Sequence, residues 1–67
     1  MNARIPPTPM DVLNLALKKE IAAYRFYDSA LQDAKVGLVR DLFELLREEE
    51  NRHVQMIKKR ITRLALG

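Results

Sequence analysis

His53 is the only histidine of the chain, and Glu50 stands three residues before it in the run Glu50-Asn51-Arg52-His53. On an α-helix that spacing puts the carboxylate and the imidazole on one face. Both residues, and Glu20 in the first half of the chain, occupy places where the surrounding apolar pattern calls for Leu or Ile. An ionised carboxylate buried without a partner costs several kcal/mol, so such side chains need something to neutralise them. Lys19, Arg25 and Arg47 fall off these stripes and are poorly placed to do so. With no cysteine, disulfides, thiolate zinc sites and iron–sulfur clusters are excluded. What remains is a metal held by carboxylate and imidazole, a partner subunit, or both; as a donor mixture, carboxylate with imidazole suits iron or manganese better than magnesium or calcium. A two-fold axis doubles Glu20, Glu50 and His53 to four carboxylates and two imidazoles. That is the ligand inventory of two-metal carboxylate sites in four-helix bundles, and its charge offsets two divalent cations.

Other residues near these positions have two readings each. Glu48 and Glu49 precede Glu50 and form a solvated acidic face that pairs with Arg52; Glu49, nearer the stripe, is the candidate for an extra ligand. Tyr24 and Tyr27 lie one and two turns beyond Glu20 on its face. They are core aromatics, or their hydroxyls hydrogen-bond the ligand carboxylates and orient them. Lys58, Lys59, Arg60 and Arg63 form a basic cluster. Cations at a helix C-terminus account for it, and a nucleic-acid patch finds no support in interleaved aromatics or a recognised motif. Met10 and Met56 read as packing residues.

Two helices position these groups. Thr8-Pro9-Met10-Asp11 reads as a helix start, with Thr8 as cap, Pro9 at the first helical position and Asp11 at the positive end of the dipole. Leu13, Leu17, Glu20, Tyr24, Tyr27 and Leu31 then recur at alternating steps of four and three, the stripe of one helix face. Ala16, Ala23 and Ala30 flank it and permit close approach of another helix. The pattern resets around Asp33–Leu38, which contains the only interior glycine, Gly37. The second stripe is Val39, Phe43, Leu46, Glu50, His53 and Ile57, continued by Ile61 and Leu64. The spacing predicts helices over about 9–34 and 38–64, each about 37 Å long, joined by a connection short enough to make them antiparallel. Glu20 lies about as far before the bend as Glu50 and His53 lie after it, so the three share one level.

A flexible arm over residues 1–9 and a single hairpin domain over 10–67 follow from this pattern. At 67 residues a chain without disulfides is marginal alone. One hairpin cannot enclose both apolar faces and leaves Leu42, Leu45, Met56 and Ile21 exposed. The expected fold is therefore all-α: an antiparallel two-helix hairpin that forms a homodimer, or a higher homo-oligomer, as a four-helix bundle. Every window of about 18 residues carries charge, which excludes a membrane span, and no secretory signal opens the chain. The expected setting is cytoplasmic.

Two segments carry a family resemblance. Glu20-Ile-Ala-Ala-Tyr-Arg-Phe-Tyr27 is similar to the first-helix pattern of the rubrerythrin branch of the ferritin-like superfamily. Leu42-Phe43-Glu-Leu-Leu-Arg-Glu-Glu-Glu50-Asn-Arg-His53 resembles its second-helix pattern. The likeness covers about residues 11 to 60. It implies that Glu20, Glu50 and His53 are ligands of a di-iron centre and that Tyr27 occupies the place of a tyrosine near the metals. Family members usually carry four helices in one chain, so the resemblance implies that a second subunit supplies the other ligand set, giving two iron ions per dimer. The rubredoxin module that delivers electrons in peroxidase members has no counterpart in these residues, so turnover calls for an external reductant.

The expected function is that of a non-haem di-iron protein that binds Fe(II) and reacts with dioxygen or peroxide, in iron handling or oxidant defence, as a ferroxidase or peroxidase-type oxidoreductase. The competing expectation is a metal-free helical dimerisation module whose buried polar residues only fix pairing register.

Overall fold

The computed structural model describes residues 7–67, with side chains described outside 34–36. The part of the expected N-terminal arm that covers residues 1–6 lies outside the described residues. Helix α1 runs Pro9–Gln32. Its start is a reciprocal cap: the Asp11 N–H donates to Thr8 Oγ1 at 3.1 Å, and the Thr8 N–H donates to Asp11 Oδ2 at 3.0 Å. Two of the donors that every helix start leaves open are satisfied in this way. The helix ends two residues earlier than the apolar pattern suggests. Asp33 leaves the helical conformation, with ψ at 116°, and its N–H turns back to the Ala30 carbonyl. Arg40 reaches across the bend, and its Nη1 donates to the Leu31 carbonyl at 3.1 Å.

The bend is a 3-10 segment, Ala34–Val39, which takes up residues expected to open the second helix. Gly37 has no positive φ there, and a Cβ at that position would meet nothing within 4 Å. The turn therefore does not depend on its glycine. Helix α2 runs Arg40–Leu66, two residues further than expected, and closes on Gly67 at a φ of 88°. At that φ, glycine carries no steric penalty.

The two helices lie antiparallel and form one layer, only 13 Å deep along the thinnest axis, about one helix diameter. Among the described residues only Leu31 and Val54 are buried. Leu13, Leu17, Tyr24 and Tyr27 of α1 face Phe43, Leu46, Ile57 and Ile61 of α2, all half-buried. Val54, not His53, fills the interior at the turn after Glu50; Val39 and Leu64, expected on the stripe, are exposed at its ends. Leu42, Leu45 and Met56 are more than half exposed, as are Val12, Leu15 and Phe26 on α1. Ile21 departs from expectation: it is half-buried and lines a groove with Tyr24 and Val54 on the opposite side of the hairpin. A layer this thin has no second layer to cover its apolar side.

Candidate metal centre

Glu20 projects from the middle of α1, and Glu50 and His53 from the middle of α2. Because the helices are antiparallel, these positions come level, and a ligand atom from each residue lies within 4.8 Å of the others. His53 Nδ1 is 3.1 Å from Glu20 Oε1 and 3.9 Å from Glu50 Oε1. The nitrogen that faces the carboxylates is thus Nδ1, which donates to Glu20 in one tautomer and offers its lone pair to the same space in the other. Side-chain exposure grades outward, from 17 % at Glu50 through 30 % at Glu20 to 47 % at His53. The site opens towards the side that carries Leu42, Leu45 and Met56.

Charge in this cluster is unbalanced. The hydrogen bond between the two carboxyl groups holds Glu20 below the ordinary carboxylate range, helped by the hydrogen bond with His53 and opposed by burial. The same carboxyl–carboxyl hydrogen bond, with burial and the negative charge of Glu20, raises Glu50. Two carboxyl groups that share a site push each other's hold on a proton apart in this way. The second Glu50 oxygen, Oε2, is shielded from solvent and has no hydrogen-bond partner. A buried acceptor left unsatisfied in this way is costly to the fold. A divalent cation would offset the carboxylate charge, and Glu20, Glu50 and His53 are the residues that would hold it. The donor set fits iron or manganese.

The remaining candidates lie around this cluster. Glu49 is half-exposed and outside the group of three, though its charge contributes to raising Glu50. Tyr27 packs its ring edge-on against Phe43, with centroids 5.5 Å apart, and against Phe26 at 5.2 Å. Tyr24 lies on the other flank, in the groove with Ile21, Asp28 and Val54. One arrangement was not anticipated from the sequence: Arg47 Nη1 bonds Asp28 Oδ1 across the two helices at 2.9 Å, and Arg47 Nη2 lies 3.7 Å from Glu48. Asp28 and Arg47 stand at nearly equal distances from the bend, which is the signal that would have paired them. This ion pair keeps Arg47 occupied away from the carboxylate cluster.

A family model for rubrerythrin matches residues 11–67, which is most of the chain and contains every residue of the cluster. Among curated proteins and among solved structures, no match is found.

Proposed function

The chain belongs to the rubrerythrin family, and from that premise we propose that two copies of the hairpin close on their His53 sides as a four-helix bundle holding two iron ions. Glu20, Glu50 and His53 of each copy are the proposed ligands, with manganese as the other metal the donor set admits. The observation that carries this reading is the convergence of one ligand atom from each of three residues within 4.8 Å of one another, with the second Glu50 oxygen buried and unpartnered. When bound, iron supplies electron transfer to dioxygen or peroxide, which is the basis of ferroxidase or peroxidase-type activity.

The chain's own residues do the rest. Glu20 and Glu50 would bind metal in their ionised forms, so a cation competes with protons for them. His53 presents Nδ1 from the rim, where a second copy completes the enclosure. Leu42, Leu45 and Met56, exposed in the single hairpin, become the apolar wall that keeps bulk water from the carboxylates and strengthens every charge interaction inside. Tyr27, anchored between Phe26 and Phe43, and Tyr24 limit movement of the Glu20 helix face. Glu49 adds negative charge at the rim and serves as an additional carboxylate for an entering cation. Electrons for repeated turnover come from an external reductant.

An anaerobic Fe(II) titration tests the proposal. About one iron per chain is expected, as for two metals shared by a dimer, and the iron should oxidise when oxygen is admitted. A Glu50→Ala or His53→Ala protein that retains full stoichiometry would refute the ligand assignment. A wild-type protein whose melting is indifferent to Fe(II) would favour the metal-free dimerisation module.

A further inference from the structure

Two charged contacts join α1 to α2, and they lie on opposite flanks of the hairpin. On one flank His53 Nδ1 meets Glu20 Oε1 at 3.1 Å. On the other, Arg47 Nη1 donates to Asp28 Oδ1 at 2.9 Å, beside the groove that Asp28 lines with Ile21, Tyr24 and Val54. With a rise of 1.5 Å per residue, the two contacts stand about 12 Å apart along α1 and about 9 Å apart along α2. As a source of stability the Arg47 contact is poor. Both of its side chains are half-buried, and ion pairs open to solvent add little. Among the described residues Arg47 Nε has no hydrogen-bond partner, although it is shielded from solvent, and a donor left so is a cost. What the contact supplies is direction, since a charge-assisted hydrogen bond from a planar guanidinium fixes angle as well as distance.

We propose that Arg47 and Asp28 are a positioning pair for the metal ligands, holding α2 at the rotation about its own axis that points Glu50 at Glu20. The proposal rests on the metal-site reading above and adds two residues that act on the ligands through the setting of the helix. Measured from Glu50 about the axis of α2, His53 stands about 60° to one side, whereas Val54 and Arg47 stand about 40° and about 60° to the other. A rotation that carries His53 into the interior therefore swings Val54 out into the groove and draws Arg47 away from Asp28. The same rotation turns the Glu50 carboxylate towards the groove and off Glu20. Rotation in the opposite sense pulls His53 away from Glu20 instead. Each contact thus blocks one sense of rotation, and Arg47–Asp28 blocks the one that would bury the imidazole and scatter the carboxylates. Apolar packing is the weaker guard, because it is non-directional and cores accept rearranged side chains of similar volume.

The chain has no cysteine, so a single introduced thiol reports this rotation. Val54→Cys places the thiol in the interior of α2, and Leu31→Cys, at the other buried residue, is the control on α1. Arg47→Met keeps the apolar stem and removes the charge. Added to Val54→Cys in metal-free protein, it should speed reaction with a thiol reagent about tenfold, as a local opening does. Added to Leu31→Cys, it should leave the rate unchanged. In the chain without an introduced thiol, Arg47→Met should bind Mn(II) about tenfold more weakly, the loss expected when residues that orient metal ligands are removed. Asp28→Ala should reproduce both effects, and the double variant should add nothing to either single one, as for two residues that act as a pair. Equal acceleration at positions 54 and 31 would mean that the pair only stabilises the fold. That result, unchanged labelling, unchanged Mn(II) affinity or an additive double variant overturns the positioning role while leaving the metal site in place. A wild-type protein that binds neither Fe(II) nor Mn(II) overturns the metal-site reading, and the positioning role with it.

Discussion

Replacing Glu50 by methionine should stabilise the metal-free protein and abolish its response to metal. The Glu50 side chain is 17 % exposed, and its Oε2 is shielded without a hydrogen-bond partner. An unsatisfied buried acceptor costs about 1–3 kcal/mol. Methionine has similar length, suits a helix as well as glutamate does and carries no oxygen to desolvate. The metal-free Glu50→Met protein should therefore exceed wild type by about 1–3 kcal/mol per chain, a rise of several degrees in Tm for a domain of this size. Metal reverses the order. At a hundredfold excess over Kd, a ligand that binds only the folded state adds about 2.7 kcal/mol. Wild type should gain this, whereas the variant offers a thioether that is a poor partner for iron or manganese and should not shift. Anaerobic thermal melts followed by circular dichroism, at one fixed protein concentration and with or without Fe(II), read both effects. Two results would refute the reasoning. A metal-free variant less stable than wild type would mean that the Glu50 carboxylate contributes to the fold, and an undiminished Fe(II) shift would mean that it is no ligand.

Two other perturbations have signs set by the structure. Because Glu50 is raised by its hydrogen bond to Glu20, by burial and by the charge of Glu20, metal competes with a proton there to a higher pH than at an ordinary carboxylate. Binding of Mn(II), followed by calorimetry in buffers of different ionisation enthalpy, should release protons and tighten as pH rises through the raised Glu50 value, levelling off above it; a pH-independent affinity would contradict this competition. At the other end of the hairpin, Thr8→Ala removes the acceptor for the Asp11 N–H and should cost about 1 kcal/mol in denaturant unfolding, with iron stoichiometry unchanged, since the cap is remote from Glu20.

The level at which Glu20, Glu50 and His53 meet was legible in the sequence, because it follows from two helical periods and the position of the bend. The rotational setting of α2 was not. Relative to Glu50, residues three and four further on stand about 60° to one side and about 40° to the other. Periodicity alone leaves open whether His53 or Val54 turns inward. The packing of α2 on α1 chose Val54 for the interior and left His53 at the rim, and that choice is what opens the cluster towards solvent. The same rotation carried Ile21 to the groove with Tyr24 and kept Leu42, Leu45 and Met56 exposed.

Helix existence, antiparallel pairing, the Thr8 cap and the meeting of Glu20, Glu50 and His53 were determined by residue types and spacing, since each depends on contacts within a turn or on counting from one bend. The length of the bend, the Arg40 contact with the Leu31 carbonyl, the Arg47–Asp28 pair and the orphaned Glu50 oxygen were decided only in the folded hairpin. Each of these depends on how far apart two helices lie and how each is turned about its axis. Those are properties of two packed surfaces, and no single stretch of the chain encodes them.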